Sequence, residues 1–141
     1  MKKELEQKLY DKYPKLFFQK DLDMKETCMC WGIECPDSWY HIIDIMCQSI
    51  QSYIDIYQRF NRDGNWRPTQ ISFIQIKEKY GQLTVYYSGM DEHIDGIIAM
   101  AEELSKNTCA ICGNIENIIR TEGWITYLCK SCCNKKGVLY E

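Results

Sequence analysis

The sequence predicts an α+β fold: two principal helices packed on a small antiparallel sheet, with a cysteine-bearing hairpin unit at the C-terminus. Three observations carry this. Residues 38–60 place apolar side chains at steps of three and four, residues 70–88 hold two strand-like runs around Tyr80-Gly81, and Cys109, Cys112, Cys129 and Cys132 form a Cys-x2-Cys-x16-Cys-x2-Cys array. A length of 141 residues suits one domain with a small appendage, and 45% hydrophobic with 26% charged residues is a globular composition. The expected division is an α+β body over residues 1–105 and the hairpin unit over residues 106–141, docked on the body because only Ser105-Lys106-Asn107-Thr108 separates them.

Residues 3–12 read as a short helix that sets Leu5 and Leu9 on one face and ends before Pro14. Residues 15–36 show no sustained period and are expected to form an ordered loop with short extended pieces. Asp37 or Ser38 is placed to cap the long helix that follows. Its stripe includes Trp39, Ile43, Met46, Ile50 and Ile54 and extends to Tyr57 and Phe60, where Asn61-Arg62-Asp63-Gly64-Asn65 breaks it. In residues 70–79 strict alternation puts Ile71 and Phe73 on one face and Ile74 and Ile76 on the other. Residues 82–88 are β-branched and aromatic, and Lys79-Tyr80-Gly81 supplies a hairpin turn between the runs. Asp91 and Glu92 complement the start of a second helix over residues 92–105, with Ile94, Ile97, Ile98, Ala101 and Leu104 on its buried side.

The cysteine array carries the chemistry. A tight turn inside each Cys-x2-Cys pair brings two sulfurs within about 2.3 Å of one ion. The intervening residues read as two strands, 116–120 and 124–128, turning at Thr121-Glu122-Gly123, which returns the second pair to the first. This spacing is a zinc signature. Four cysteines close a tetrahedral shell with no histidine among them, so the expected cofactor is one structural Zn²⁺. Cys133 is then a spare thiol or an alternative ligand to Cys132. Cys28, Cys30 and Cys35, with His41 and Cys47 nearby, lack a standard ligand spacing and read as core thiols, a second metal being the alternative. Nine cysteines are also an awkward count for a disulfide framework.

Charge narrows the partners. Residues 1–105 carry 12 Lys/Arg against 17 Asp/Glu, a net of −5, and residues 106–141 carry 5 against 3, a net of +2. Four thiolates and one Zn²⁺ bring that tail to about neutral, so the clustered positive charge that drives sequence-independent nucleic-acid binding is missing. No apolar run approaches the ~18 residues of a membrane span, and the charged N-terminus lacks the apolar core of a signal peptide. The expectation is a cytoplasmic chain.

Three stretches carry a resemblance: Trp31-Gly32-Ile33-Glu34-Cys35, the turn Lys77-Glu78-Lys79-Tyr80-Gly81-Gln82-Leu83, and Cys109-Ala110-Ile111-Cys112-Gly113 with Gly123-Trp124-Ile125-Thr126-Tyr127-Leu128-Cys129. In these the chain resembles a family of small proteins encoded by bacteriophages and prophages, over most of residues 1–133. Cys28 and the tail after Cys133 depart from the family's pattern. The resemblance implies an accessory protein of the infected bacterial cell that acts on the host or its defences, and it implies no catalytic residues.

The functional expectation is accordingly a zinc-stabilised interaction protein that binds and modulates a macromolecule, most readily a host or phage protein. One version inhibits an antiphage defence, including by sequestering a nucleotide signal. Arg59, Arg62 and Arg67 would then hold phosphate, and Tyr86 and Tyr87 would offer aromatic faces. A nucleic-acid-binding zinc ribbon, with Arg120, Lys130, Lys135 and Lys136 on phosphates, is the second reading. An enzyme of unknown reaction is the third; the chain has no Gly-rich phosphate loop, nucleophile elbow or His-Glu metal motif, so it is not expected to be an enzyme.

Overall fold

Helix α1 (Lys3–Lys12) forms where Leu5 and Leu9 were expected to share a face, and Leu9 is fully buried. The structure, a computed structural model, describes residues 1–60, 68–138 and 140. Two short 3-10 turns, Phe18–Asp21 and Met29–Trp31, follow in place of the extended pieces expected between residues 15 and 36. Among the described residues this stretch makes one β-bridge, parallel, from Glu34 to Lys77, and Phe73 N also donates to Leu16 O. What organises this stretch is a side chain of α1. Glu6 is 3% exposed, and its carboxylate accepts from the buried Ile33 N–H at 2.5 Å and from Lys3 Nζ at 2.9 Å.

The long helix α2 (Tyr40–Phe60) is preceded by a 3-10 turn at Asp37–Trp39, and neither expected cap residue caps it. Asp37 instead accepts from Lys2 N at 2.7 Å, and Ser38 Oγ donates to Ala110 O at 2.9 Å. Both side chains are drawn off by segments remote in sequence. Ile43, Met46, Ile50 and Ile54 are buried as expected, whereas Tyr57 and Phe60 at its C-terminal end are exposed.

Strands β1 (Phe73–Lys79) and β2 (Gln82–Tyr87) make an antiparallel hairpin. The register slips between Phe73 and Gln75, a bulge at Ile74. That extra residue shifts the alternation by one, so Phe73 and Ile76 both reach the core and Ile74 is half-buried. The expected pairing of Ile74 with Ile76 on one face is therefore overturned. Beyond the bulge, Ile76, Leu83 and Val85 face inward, and Gln75, Lys77, Lys79, Gln82, Thr84 and Tyr86 face outward.

Helix α3 (Glu92–Lys106) packs against α2 and β2. Asp91 caps it, accepting from His93 N and Ile94 N, and also receives the hydroxyl of Tyr53 at 3.2 Å. Ile94, Ile98 and Ala101 are buried, while Leu104 lies half outside the core. Both hairpin edges are covered. Glu34 exchanges backbone bonds with Ile76 and Glu78 along β1, and on β2 Leu83 N donates to Ser105 Oγ and Val85 N to Glu102. Strand edges closed in this way do not recruit foreign strands. Among the described residues no helix is long and apolar enough to cross a membrane.

The Glu6 contact yields a test. Glu6→Ala orphans the Ile33 N–H in the core and should cost about 1–3 kcal/mol of stability by denaturant unfolding. Glu6→Gln, which keeps an acceptor oxygen, should recover part of the loss; equal losses would show that the carboxylate merely fills space.

Candidate metal centre

Where α3 ends, two side chains steer the chain straight into the C-terminal unit: Asn107 Nδ2 donates to Glu103 O and Thr108 Oγ1 to Leu104 O. Cys109 follows immediately, and the turn through Cys112 is closed by Gly113 N donating to Cys109 O at 2.9 Å, with Gly113 in a left-handed conformation. Strands β3 (Ile118–Arg120) and β4 (Tyr127–Cys129) pair antiparallel and are shorter than the runs expected from sequence. The wide connection between them is gathered by buried Thr121, whose hydroxyl donates to Trp124 O and accepts from Thr126 N. After Cys129 the chain turns into a helix that the sequence reading missed, α4 (Lys130–Lys136). The first cysteine pair thus sits on a turn after a helix and the second on a strand-to-helix junction.

This path brings Cys109, Cys112, Cys129 and Cys132 together with all four sulfurs within 4.8 Å of one another. Cys112 Sγ and Cys129 Sγ are 3.7 Å apart. Metal–sulfur bonds of about 2.3 Å in a tetrahedron require sulfur–sulfur edges of about 3.8 Å. The four cysteines can therefore coordinate one metal ion. Cys109, Cys129 and Cys132 are buried and Cys112 is exposed, so the site lies at the surface of the unit.

The thiols oppose one another electrostatically. Burial pushes Cys109 up, but N–H groups of Cys112, Cys129 and Ile111 outweigh it and bring the thiol down to about 6. Burial and the neighbouring sulfurs push Cys132 up to about 12. Cys112 is lowered by the Asn114 N–H yet ends raised, chiefly through Cys109. One sulfur is disposed to ionise and its neighbours then resist. A divalent cation at the centre removes that conflict.

Cys133 is not one of the four. Its side chain is fully buried, with Sγ 4.0 Å from Leu128 O, and it packs with Leu128 in the unit's small core. Cys28, Cys30 and Cys35 do not converge on a further centre, since the four C-terminal cysteines are the only such group of His, Cys, Asp or Glu among the described residues. Cys35 and Cys47 are buried in the body's core, and burial raises both thiols.

The other candidate ligand residues scatter. Arg59 is exposed at the end of α2, and Arg62 and Arg67 lie outside the described residues. Tyr86 faces outward, with Lys77 Nζ 5.9 Å from its ring centre. Tyr87 points the other way, and its hydroxyl donates to Asp95 at 2.6 Å and accepts from Asp91 N at the start of α3.

The unit meets the body at the hairpin tip. A side chain at Gly81 would come within 3.0 Å of Thr126 Cα and 3.1 Å of Ile125 O, so the backbones touch closely there. Either Trp124 or Ile125 is positioned by sequence to give the unit an apolar contact; Trp124 is 83% exposed, and Ile125 is half-buried beside Gly81. Comparisons with family models, with curated proteins and with solved structures found no match.

Two substitutions separate these contacts. Gly81→Ala meets both a left-handed φ of 80° and the close backbone of residues 125–126, and should lower stability by about 1–2 kcal/mol or more. Trp124→Ala should leave the melting temperature almost unchanged. The reverse ranking would mean that the indole ring, not the hairpin tip, holds the unit.

Proposed function

We propose that this chain is a zinc-binding interaction protein: one structural Zn²⁺ holds residues 109–136 in shape, and the protein acts by binding another macromolecule. The convergence of four cysteine sulfurs within 4.8 Å carries the reading. An all-sulfur tetrahedral donor set favours zinc among the common divalent ions. With four protein ligands there is no open position for water or substrate, so the metal is structural and the reading is not enzymatic. The unit needs the ion because its own core is small: Leu128, Cys133 and the half-buried Ile118 and Ile119.

The resemblance to small phage- and prophage-encoded proteins supports the finer version. In it the chain is an accessory protein in the cytoplasm of an infected bacterium, modulating a host macromolecule such as a component of antiphage defence.

Metal analysis checks the first half. About one zinc per chain is expected for the wild type and for Cys133→Ser, and almost none for Cys129→Ser. Two per chain would assign a second ion to Cys28, Cys30 and Cys35. Zinc contributes on the order of 10 kcal/mol to folding such units. Chelation should therefore accelerate amide exchange in residues 109–136 before it does so in α2. Acid should act like chelation, because protons compete for the thiolates. Unchanged exchange after complete metal removal would refute a structural role.

A further inference from the structure

We infer that the outward face of the β1–β2 hairpin, continued across the cleft to Trp124, is a binding platform for single-stranded nucleic acid. The inference rests on the interaction-protein reading and names the surface and the partner class. Four observations carry it.

The first is the cleft. Glu78, Lys79, Tyr80, Gly123, Trp124 and Ile125 line a space of about 350 Å³ between the hairpin tip and the metal-bearing unit. That volume is at the small end of the range for ligand pockets and suits one planar group.

The second is the display of rings. Tyr80 is 73% exposed and Trp124 is 83% exposed, on opposite walls of this cleft, and Tyr86 is 46% exposed on the same outward hairpin face. Among the described residues no ring–ring contact involves Tyr80 or Trp124, and Lys79 Nζ lies over only one face of Tyr80, so each ring keeps a face on which a base can stack.

The third is the backbone of Tyr80. Tyr80 and Gly81 have φ of 54° and 80°, a type I′ turn, whose first position favours Asn, Asp or Gly. A bulky residue with positive φ is an outlier. Local strain kept at a turn tip, with the ring directed into solvent, is the mark of a side chain held there for contact with something else.

The fourth is charge. Of the outward positions Gln75, Lys77, Lys79, Gln82, Thr84 and Tyr86, two are lysine and none is acidic, although the body as a whole is net negative. Lys77 Nζ and Lys79 Nζ sit 5.9 Å and 5.6 Å from the ring centres of Tyr86 and Tyr80. Each ammonium lies over one face of its ring, which leaves the other face for a base and holds a cation within reach of that base's phosphate. Glu78, the acidic residue of the cleft, has one carboxylate oxygen engaged by Gly81 N. Two lysines neutralise few phosphates, so stacking supplies most of the affinity and salt dependence is shallow. A strand with accessible bases fits this platform; a duplex, whose bases are stacked on one another, does not.

The test is fluorescence anisotropy of labelled 20-nucleotide oligo-dT and oligo-rU with the full chain loaded with zinc, at two salt concentrations. An unlabelled duplex and free thymidine monophosphate serve as competitors. The strands should bind, and the duplex and the mononucleotide should compete at least about tenfold more weakly. Tyr80→Asn restores the favoured turn residue, so it should keep or raise the melting temperature while weakening binding by about tenfold. Trp124→Ala should weaken it similarly with zinc content unchanged. Lys77→Ala with Lys79→Ala should flatten the salt dependence by about 0.7 per lost phosphate contact. Lys8→Ala, on α1, should change nothing. The inference is overturned if the duplex or the mononucleotide competes as well as the strands, or if the Tyr80 and Trp124 variants bind like wild type. Absence of strand binding also overturns it and gives the platform to a protein partner, while one zinc per chain leaves the metal assignment standing.

Discussion

Four cysteine sulfurs lie within 4.8 Å of one another, close enough to coordinate one metal ion, and the C-terminal quarter of the chain is built around that cluster. The turn closed by Gly113, the strand pair and α4 each serve to deliver a sulfur. Apolar burial alone is too meagre there to specify a shape. Leu128 and Cys133 form the centre, and Ile115 and Trp124 lie at the surface. Dispersion and the hydrophobic effect scale with contact and area, so a unit this small gains little stability from apolar burial.

The body solves a different problem by ordinary means. A two-stranded hairpin is marginal by itself, and here it is stabilised from three directions. Ile76, Leu83 and Val85 pack into the core, Glu34 bonds along one edge, and Ser105 and Glu102 on α3 accept from the other. Burial raises Glu102 above the ordinary carboxylate range, against the Val85 N–H that favours its charged form. The same helix begins at Asp91, which gathers the Tyr53 hydroxyl, and Tyr87 bonds beside it. Residues around 80–81 then become the junction: Gly81 admits the backbone of residues 125–126, and Tyr80 projects away from it. Support for the metal unit and display of an aromatic ring are joined in two consecutive residues.

The elements with strong local signals were legible from sequence. The spacing of Leu5 and Leu9 and the long stripe from Trp39 to Ile54 each mark a helix, because a 3.6-residue period reports one buried face whatever the partner is. The hairpin turn was legible in Tyr80-Gly81, and Asp91 as the start of α3. The bulge at Ile74 was not. Alternation assumes an unbroken register, and an inserted residue is visible only once the partner strand is present. Helix α4 was hidden as well, being seven residues with little apolar period and organised by the cysteines within it.

The sequence by itself determined which four cysteines converge, since a Cys-x2-Cys pair carries its geometry locally and a hairpin returns the second pair to the first. It also determined the fold class, through periodicities that need no knowledge of neighbours. Tertiary structure alone decided which polar and aromatic groups are spent and which are displayed. Asp37 and Ser38 look like helix caps until Lys2 and Ala110 claim them, and the Tyr87 hydroxyl is engaged by Asp91 and Asp95. Of Trp124 and Ile125, which sequence offers equally as docking residues, the first is left exposed and the second lies beside Gly81. The physical reason is common to all of these. A polar or aromatic side chain has no intrinsic destination, and its role is settled by whichever group, distant in sequence, arrives within bonding distance.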